Sequence, residues 1–363
     1  MITTPSLQRS VLILALFFLI FGALYFARPF LVPLAFGLIL STLFYPLCKW
    51  LENKSLSRGF ASFICVLSFV SLIGAIITLL VWQLKGMASE MTGIEENVNN
   101  LVKKIQSSLE NLIGVPKEKQ QQFLQKQQQS GSGQLGSVIT ALMKSLSGFL
   151  VDTVLTLVYI FLLLFFRTHL RKVILKLVPP TEHDTATAII YKSSKVSQKY
   201  LTGLAMMIVI LWIMYGIGFS IIGVKNGIFF AILCGLLEIV PFVGNLTGTL
   251  LTILGSASQS SGGNLVIGIL ITYGIVQFIQ TYLLEPLIVG SEENINPLFT
   301  IIILVVGELV WGIPGMVLAL PLLGIVKVIC DHIPALRPYG FMIGKEKKKT
   351  GEGIGSKMKK IFS

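Results

Sequence analysis

The chain has 363 residues and a formal net charge of +12, yet only 13% of its residues are charged and 53% are hydrophobic. Soluble globular domains carry about 25% charged residues, so the composition excludes an ordinary soluble protein and predicts a membrane protein. The positive charge does not indicate nucleic-acid binding, because it is concentrated beside apolar runs. Of 29 Lys and Arg, seven lie within 167–199, seven within 345–360 and three within 49–58.

Apolar runs long enough to cross a bilayer recur along the chain. A spanning helix needs about 20 predominantly apolar residues, and such runs occur at 11–27, 29–48, 59–82, 146–166, 201–222 and 265–283. Lys and Arg favour the cytoplasmic side of short loops, so their placement predicts that both termini are cytoplasmic. We therefore expect N-terminal transmembrane helices within 1–82 and a basic cytoplasmic tail at 334–363.

The region 83–145 is predicted to be extracytoplasmic and helical. Its apolar residues alternate at spacings of three and four, as in a heptad seam: Leu84, Met87, Met91, Ile94, Val98, Leu101 and Ile105. This stripe either packs within its own subunit or helps to assemble an oligomer. The Gln-rich tract 119–129 and Gly-Ser-Gly at 131–133 predict a flexible connection between two helices.

The region 146–200 predicts one spanning helix followed by a cytoplasmic amphipathic linker. Beyond the span, apolar residues share one helical face, which is typical of a helix lying in the membrane interface: Leu170, Val173, Ile174, Leu177 and Val178. Pro179 and Pro180 end that helix. Thr181 and Asp184 then resemble a capping box and predict the start of a second amphipathic helix.

Two long apolar stretches within 201–333 are each broken in the middle by Gly and Pro beside a single Glu. They are 227–255, with Glu238 and Pro241, and 297–329, with Glu308 and Pro314. A Pro inside a helix removes a backbone hydrogen bond, and lipid tolerates such a break only where the backbone faces protein or a water-filled cavity. Paired interrupted stretches are typical of transporter binding sites, so 201–333 is predicted to be a transport core.

Each broken stretch is either one kinked spanning helix or a re-entrant hairpin. The arms of the first are about 21 and 24 Å long, shorter than the roughly 30 Å hydrocarbon core, which favours hairpins. The acidic segment 284–297 instead favours an external position and kinked spans. The sequence thus predicts an all-α polytopic membrane protein with six spanning helices and two hairpins, or with eight spans. Two hairpins would make helix 201–222 with the first stretch an inverted repeat of helix 265–283 with the second.

Polar side chains in these stretches are the candidate ligands of a solute or an ion. A charged residue inside an apolar span costs about 2.5–3.5 kcal/mol on insertion scales and usually marks a pathway. Glu238, just before Pro241, either binds solute or ion or only ties the broken helix, and Glu308 has the same alternatives. A Glu in such a setting can act as a proton carrier. The other candidates are neutral polar groups and the backbone positions at the breaks: Gly244, Asn245, Thr247, Gln277, Gln280, Asn296, Pro314 and Gly315.

Nothing in the sequence indicates an enzyme, a bound metal or a cofactor. Cys48, Cys65, Cys234 and Cys330 lie in or beside apolar segments without CxxC spacing, which favours buried side chains over metal ligands. The three histidines form no metal motif, and no GxxxxGK[ST] phosphate loop occurs. Energy for transport is therefore expected from an ion gradient or a partner.

Several motifs together resemble the autoinducer-2 exporter family, a group of bacterial inner-membrane permeases, over nearly the whole chain. They are Arg28-Pro29 with Tyr45-Pro46-Leu47, Glu238-Ile-Val-Pro241-Phe-Val-Gly244, Glu285-Pro286-Leu-Ile-Val-Gly290, Asn296-Pro297-Leu298, and Gly312-Ile-Pro-Gly315 with the residues up to Pro321. The resemblance implies a homo-oligomer, namely a pentamer, that exports small polar molecules. It also implies that some relatives exchange sodium for protons, so the family does not fix the solute.

Two classes of function follow from these observations. The first is a secondary transporter of the bacterial inner membrane that exports a small polar solute, such as an autoinducer-2-like signal, using H⁺ or Na⁺, or a sodium/proton antiporter. The second is a non-transporting oligomeric scaffold. Two broken, Glu-bearing stretches favour transport. Inserting a Glu into the membrane costs free energy, and a scaffold would gain no function from it. The expected partners are membrane lipids, the solute, the coupling ion and further copies of the chain, but no nucleic acid.

Overall fold

The computed structural model describes residues 4–88, 131–241, 243–256, 263–289 and 295–345. In these ranges the chain forms eleven α-helices and no β-strand, and seven helical segments are long and apolar enough to cross a membrane. The predicted all-α polytopic membrane fold is confirmed. The Gln-rich tract and the part of the heptad seam from Met91 to Ile105 lie outside the described residues.

The first four helices are α1 (Thr4–Phe26), α2 (Arg28–Asn53), α3 (Arg58–Ala88) and α4 (Gly131–Lys176). Helix α2 packs against both α3 and α4. Their shared core consists of small and aliphatic side chains: Cys48, Leu51, Ala61, Cys65, Ile160 and Leu164. All four cysteines are buried and free, which confirms that they pack as small apolar side chains.

A polar cluster closes one end of this core. The guanidinium of Arg167 on α4 forms an ion pair with Glu52 on α2, and its Nη1 donates to Cys48 Sγ at 3.4 Å. The same guanidinium lies over the ring of Tyr45, 5.4 Å from its centroid. The sequence pattern places Arg167 only in a cytoplasmic charge cluster, whereas in the structure its ion pair joins α4 to α2.

Helix α4 corrects two predictions. It begins at Gly131, so the Gly-Ser-Gly run forms its first turn and is not a flexible connection. It also continues without interruption to Lys176, so the apolar face at 170–178 is not a separate interfacial helix. Once a helix is nucleated, each further residue adds a hydrogen bond. The spanning helix therefore includes residues 131–133, predicted as a flexible connection, and residues 170–176, predicted as part of a separate interfacial helix.

Helix α5 runs from His183 to Ile221 after a short 3₁₀ turn, Pro180–Glu182. The predicted capping box is wrong, because the residue before the helix is Glu182 and it makes no side-chain capping bond. The linker helix and the next span are one element of 39 residues, about 58 Å long. Its buried stripe recurs every four residues and forms the centre of the C-terminal core: Met207, Leu211, Tyr215 and Phe219.

The first broken stretch is a helical hairpin, here called hairpin 1. Its arms are α6 (Gly227–Leu237) and α7 (Val243–Ser256). Cys234 Sγ lies 3.5 Å from Thr252 Oγ1, and a side chain at Gly255 would meet the ring of Phe230. Residues early in α6 thus face residues late in α7. The arms are antiparallel, so the start of α6 lies beside the end of α7, which confirms the hairpin interpretation.

The second broken stretch is also a hairpin, here called hairpin 2. Its arms are α9 (Pro297–Trp311) and α10 (Ile313–His332), joined at Gly312 with a positive φ of 67°. A Cβ at Gly307 would lie 3.3 Å from Cβ of Ala319, so the chain doubles back at Gly312. Trp311 Nε1 donates to Leu24 O of α1 at 3.0 Å, which fixes the tip of the hairpin.

The two hairpins open toward opposite ends of helix α8 (Gly263–Ile279), which continues as a π-helix, Gln280–Val289. Hairpin 1 ends a few residues before α8, and hairpin 2 begins a few residues after the π-helix. At the base of hairpin 2, Ile295 bridges to Gly344, just after the last helix, α11 (Arg337–Ile343). The order hairpin, helix, hairpin is the order that an inverted repeat would have, and the repeat itself stays a prediction.

Candidate functional site

A group of polar side chains lies at the break of hairpin 1, against α5 and α8. Glu238 directly follows the last residue of α6, at helical φ and ψ of −59° and −17°. Pro241 comes three residues later and has no N–H to continue the helical hydrogen bonds. The apolar arm α6 therefore ends directly beside the carboxyl group of Glu238.

Close contact between the arms sets the position of Asn245. A Cβ at Gly244 would overlap the carbonyl oxygen of Leu237, so only glycine allows α7 to start so near the end of α6. The next residue, Asn245, is 6% exposed and points between helices. The motif around Gly244 is thus explained by packing, and its consequence is a buried amide beside the break.

Hydrogen bonds connect Asn245 to both neighbouring helices. Tyr215 Oη of α5 donates to Asn245 Oδ1 at 3.1 Å, and Asn245 Nδ2 donates to Gln277 Oε1 of α8. Gln277 Nε2 donates in turn to Thr281 Oγ1 at 3.2 Å. Since Tyr215 is 1% exposed, this chain of bonds starts inside the protein.

A second link joins hairpin 1 to the start of the π-helix. Gln280 Nε2 donates to Glu238 Oε1 at 2.6 Å. Gln280 is only 1% exposed, and its other amide atom, Oε1, is buried without a hydrogen-bond partner among the described residues. Glu238, Asn245, Gln277, Gln280 and Tyr215 are called the break network below.

The structure brings together some of the predicted site residues and separates others. Glu238, Asn245 and Gln277 belong to the break network, whereas Glu308 is exposed on α9 of hairpin 2. Asn296 caps α9, because its Oδ1 accepts from Leu298 N at 3.0 Å. Pro314 and Gly315 lie in the first turn of α10, and Gly315 packs closely against Gly307.

Sequence reasoning did not identify Tyr215 or Thr281, and it gave Gln280 no special place among the neutral polar groups. The available signal was spacing: Gln277, Gln280 and Thr281 lie three and four residues apart, on one face of a helix. The role of Tyr215 depends on α5 packing beside α7, which no local pattern reveals.

Positive charge is missing from the break network. None of the ion pairs formed by the described residues includes Glu238, and Glu285 of the π-helix is close enough to interact with it electrostatically. Within the same described residues, no group of three His, Cys, Asp or Glu side chains could hold a metal ion. The site therefore consists of carboxyl, amide and hydroxyl groups, which suit hydroxylated solutes, protons and small hard cations.

Two opposed hairpins within a bundle of apolar helices, one of them holding a polar network at its break, define the architecture of a membrane transporter. The comparison with protein families agrees. The chain belongs to the family described as AI-2E family transporter, whose model matches residues 13–335. The resemblance found in the sequence is confirmed, and the protein is a membrane transporter of this family.

Similar bacterial proteins match most of the length of the chain. "Putative transport protein YrrI" of Bacillus subtilis is 22% identical over 314 residues, which cover 85% of this chain and 88% of that protein. A Borreliella burgdorferi protein with the same general description is 25% identical over 371 residues, covering 98% and 97%. The sodium-lithium/proton antiporter of Halobacillus andaensis is 24% identical over 338 residues, covering 87% and 92%.

Proposed function

We propose that this protein is a secondary transporter that exports a small polar solute across the bacterial inner membrane, with the break network as its binding site. The observation that carries the proposal is the hydrogen bond between Glu238 at the end of α6 and Gln280 at the start of the π-helix. It joins a broken helix to a neighbouring span at the place where transporters of inverted design bind solutes.

The chemistry of the site suits a solute with hydroxyl groups. Carboxyl and amide groups can each exchange a hydrogen bond within the protein for one to a solute hydroxyl. Buried polar groups reject a ligand that lacks a matching partner, because the loss of a buried hydrogen bond is costly. A signal molecule of the autoinducer-2 type, small and rich in hydroxyl groups, fits these requirements.

Hairpin 1 is the part that we expect to move. Its arms pack against each other and on α5 and α8, and polar side chains bridge the break to both helices. Breaking the Glu238–Gln280 bond would free the end of α6 without unfolding either arm. A solute or ion that replaces this bond is therefore coupled to the position of the hairpin.

The second candidate is a cation/proton antiporter, as the Halobacillus andaensis relative is named. It is favoured by the lack of a cationic partner for Glu238 among the described ion pairs, since such a carboxyl can exchange a proton for a metal cation.

In either case the protein is expected to be a homo-oligomer in contact with lipid. Many large apolar side chains on α1, α3 and α8 are exposed on the single chain, for example Phe18, Trp82 and Phe278.

Transport by purified protein in proteoliposomes tests the proposal. Autoinducer-2 is the first solute, and a pH-sensitive dye inside the vesicles reports sodium/proton exchange. With Glu238→Gln, we expect the rate to fall about tenfold or more, which corresponds to a loss of about 1.4 kcal/mol or more. Glu182→Gln is the matched control, because Glu182 is exposed in the 3₁₀ turn before α5.

The outcomes separate the candidate functions. Solute movement that is lost in Glu238→Gln but kept in Glu182→Gln supports the exporter. A sodium-dependent pH change without solute movement supports the antiporter. If a folded wild-type protein moves neither autoinducer-2, nor other small polar solutes, nor sodium against protons, the proposal is wrong and the scaffold function is favoured.

A further inference from the structure

A groove lies between α1 and the arm α9 of hairpin 2, and none of its lining residues belongs to the break network. Its volume is about 330 Å³, within the range of ligand-binding pockets. On the α1 side it is lined by Phe18, Phe21, Gly22 and Tyr25. These residues lie three and four positions apart, so they share one face of the helix. Gly22 has no side chain, and a Cβ there would meet no atom within 4 Å, so it leaves open space in the groove.

The α9 side of the groove is also apolar. It is lined by Val306, Leu309 and Val310, again at helical spacing. Glu308 belongs to the same helix, but at about 100° per residue it lies on the side of α9 opposite these three. The groove thus contains no carboxyl group among its lining residues. It is suited to a hydrocarbon chain and not to a solute rich in hydroxyl groups.

A positive charge lies at one end of the groove. Arg28 is the first residue of α2, directly after the turn at Ala27, where the spans Gln8–Phe26 and Arg28–Asn53 meet. A turn between two spans lies at the membrane surface, where the lipid head groups are. The Cζ atom of Arg28 is 5.2 Å from the ring centroid of Tyr25, a lining residue of the groove.

The groove runs from this charge into the hydrocarbon region. Tyr25 and Phe18 are seven residues apart, which is about 10 Å along the axis of α1. Arg28 is exposed, and no ion pair of the described residues includes it. A guanidinium group binds phosphate well. The order of charge, aromatic ring and apolar groove therefore matches the order of phosphate, glycerol and acyl chain in a phospholipid.

We propose that this groove binds one acyl chain of an anionic phospholipid, such as phosphatidylglycerol, whose phosphate pairs with Arg28. The charge favours an anionic lipid, because the head group of a zwitterionic lipid carries its own compensating cation. A helix of a second copy of the chain is the other candidate occupant. Such a helix, about 10 Å wide, could cover the groove but is too wide to fill it.

A lipid at this place would strengthen a weak attachment within the bundle. None of the residues in the spanning window of α1 is buried, and among the described helices α1 packs mainly against α2 and α9. The hydrogen bond from Trp311 Nε1 to Leu24 O ties α1 to the tip of hairpin 2. An acyl chain beside this bond contacts both helices, so the lipid holds the tip of hairpin 2 in place.

Thermal unfolding of the purified full-length protein in detergent tests the site. Phosphatidylglycerol and phosphatidylcholine with the same acyl chains are added at equal mole fraction, and melting is followed by circular dichroism. A ligand that binds only the folded state stabilises it by RT ln(1 + [L]/Kd). We expect phosphatidylglycerol to raise Tm by several degrees more than phosphatidylcholine. Native mass spectrometry should show phosphatidylglycerol retained on the protein.

Two substitutions locate the head group and the chain. Arg28→Gln should abolish the preference for phosphatidylglycerol, whereas Arg9→Gln, exposed near the other end of α1, should keep it. Gly22→Leu fills the groove and should abolish the Tm shift. Gly74→Leu on α3 is the matched control, because a Cβ there also meets no atom within 4 Å. If Gly22→Leu does not fold, Gly22→Val fills part of the same space and is judged by the same shift.

Other results would overturn the lipid site. Equal Tm shifts by the two lipids in the wild type, or an unchanged preference in Arg28→Gln, would show that Arg28 binds no head group. A full phosphatidylglycerol shift in Gly22→Leu would show that the acyl chain lies elsewhere. A smaller particle mass of Gly22→Leu by light scattering, with Gly74→Leu unchanged, would show that a second copy of the chain covers the groove.

Discussion

The two hairpins share a design but differ in what they bury. Each has apolar arms, a Pro near its break and a glycine that allows the arms to touch. Hairpin 1 encloses polar side chains contributed by α5, α7 and α8, whereas hairpin 2 packs glycine against glycine and leaves its Glu308 exposed. A Pro-broken, Glu-bearing stretch therefore does not by itself enclose a polar network. The helices that pack beside the break determine whether polar side chains are enclosed there.

The physical reason lies in the cost of burying polar groups. A buried amide or hydroxyl must be hydrogen-bonded, or it destabilises the fold by about 1–3 kcal/mol. In hairpin 1 Tyr215 and Gln277 satisfy Asn245 from both sides. In hairpin 2 the corresponding space is closed at Gly307, where a Cβ atom would lie only 2.6 Å from the Gly315 carbonyl oxygen. There is room for a network in one hairpin and not in the other.

The largest expected loss of stability comes from adding a methyl group where the two arms of a hairpin touch. Gly315→Ala would place a Cβ against the Gly307 carbonyl, and Gly244→Ala would place one against the Leu237 carbonyl. Overpacking costs about 1–3 kcal/mol or more when a backbone must shift. We expect a lower Tm for both variants, measured by circular dichroism on the purified protein. Gly244→Ala should also impair transport, because it displaces Asn245.

Gly274→Ala on α8 is the matched control for both glycine variants. A Cβ there meets no atom within 4 Å, and Ala is favoured over Gly inside a helix by about 0.5–1 kcal/mol. Its Tm should be unchanged or higher. If Gly274→Ala lowered Tm as much as Gly315→Ala, the loss in Gly315→Ala could not be assigned to the contact between the hairpin arms.

A smaller effect is expected from Tyr215→Phe, which tests the network of hairpin 1. The variant keeps the ring but leaves Asn245 Oδ1 without the bond from Tyr215 Oη, at positions 1% and 6% exposed. We expect a loss of about 1 kcal/mol in unfolding free energy, measured by denaturant unfolding. Tyr282→Phe is the control at a 67% exposed position and should change stability by less than about 0.5 kcal/mol. Equal results for both would contradict the network.

The sequence favoured the hairpins over kinked spans and predicted part of the candidate site for identifiable reasons. Short apolar arms with Gly and Pro between them exclude a straight span, and Glu238, Asn245 and Gln277 are polar residues where lipid would exclude them. The extent of α4 and the start of α5 were predicted incorrectly, because helix propagation overrides weak local signals at the ends. Local patterns could not show which carboxyl faces the protein, since that depends on which helices pack beside each hairpin.

Glu308 gives the smallest expected effect and the most direct test of the comparison. It lies on the exposed side of α9, so Glu308→Gln should leave the unfolding free energy within about 0.5 kcal/mol of the wild type. Its transport rate should stay within about twofold, against the large loss in Glu238→Gln measured in the same vesicles. A loss of transport equal to that of Glu238→Gln, with stability unchanged, would mean that α9 turns its carboxyl toward the solute in another conformation. The two hairpins would then be equivalent halves of one site, and the difference between them would belong to one state of the transport cycle and not to the protein.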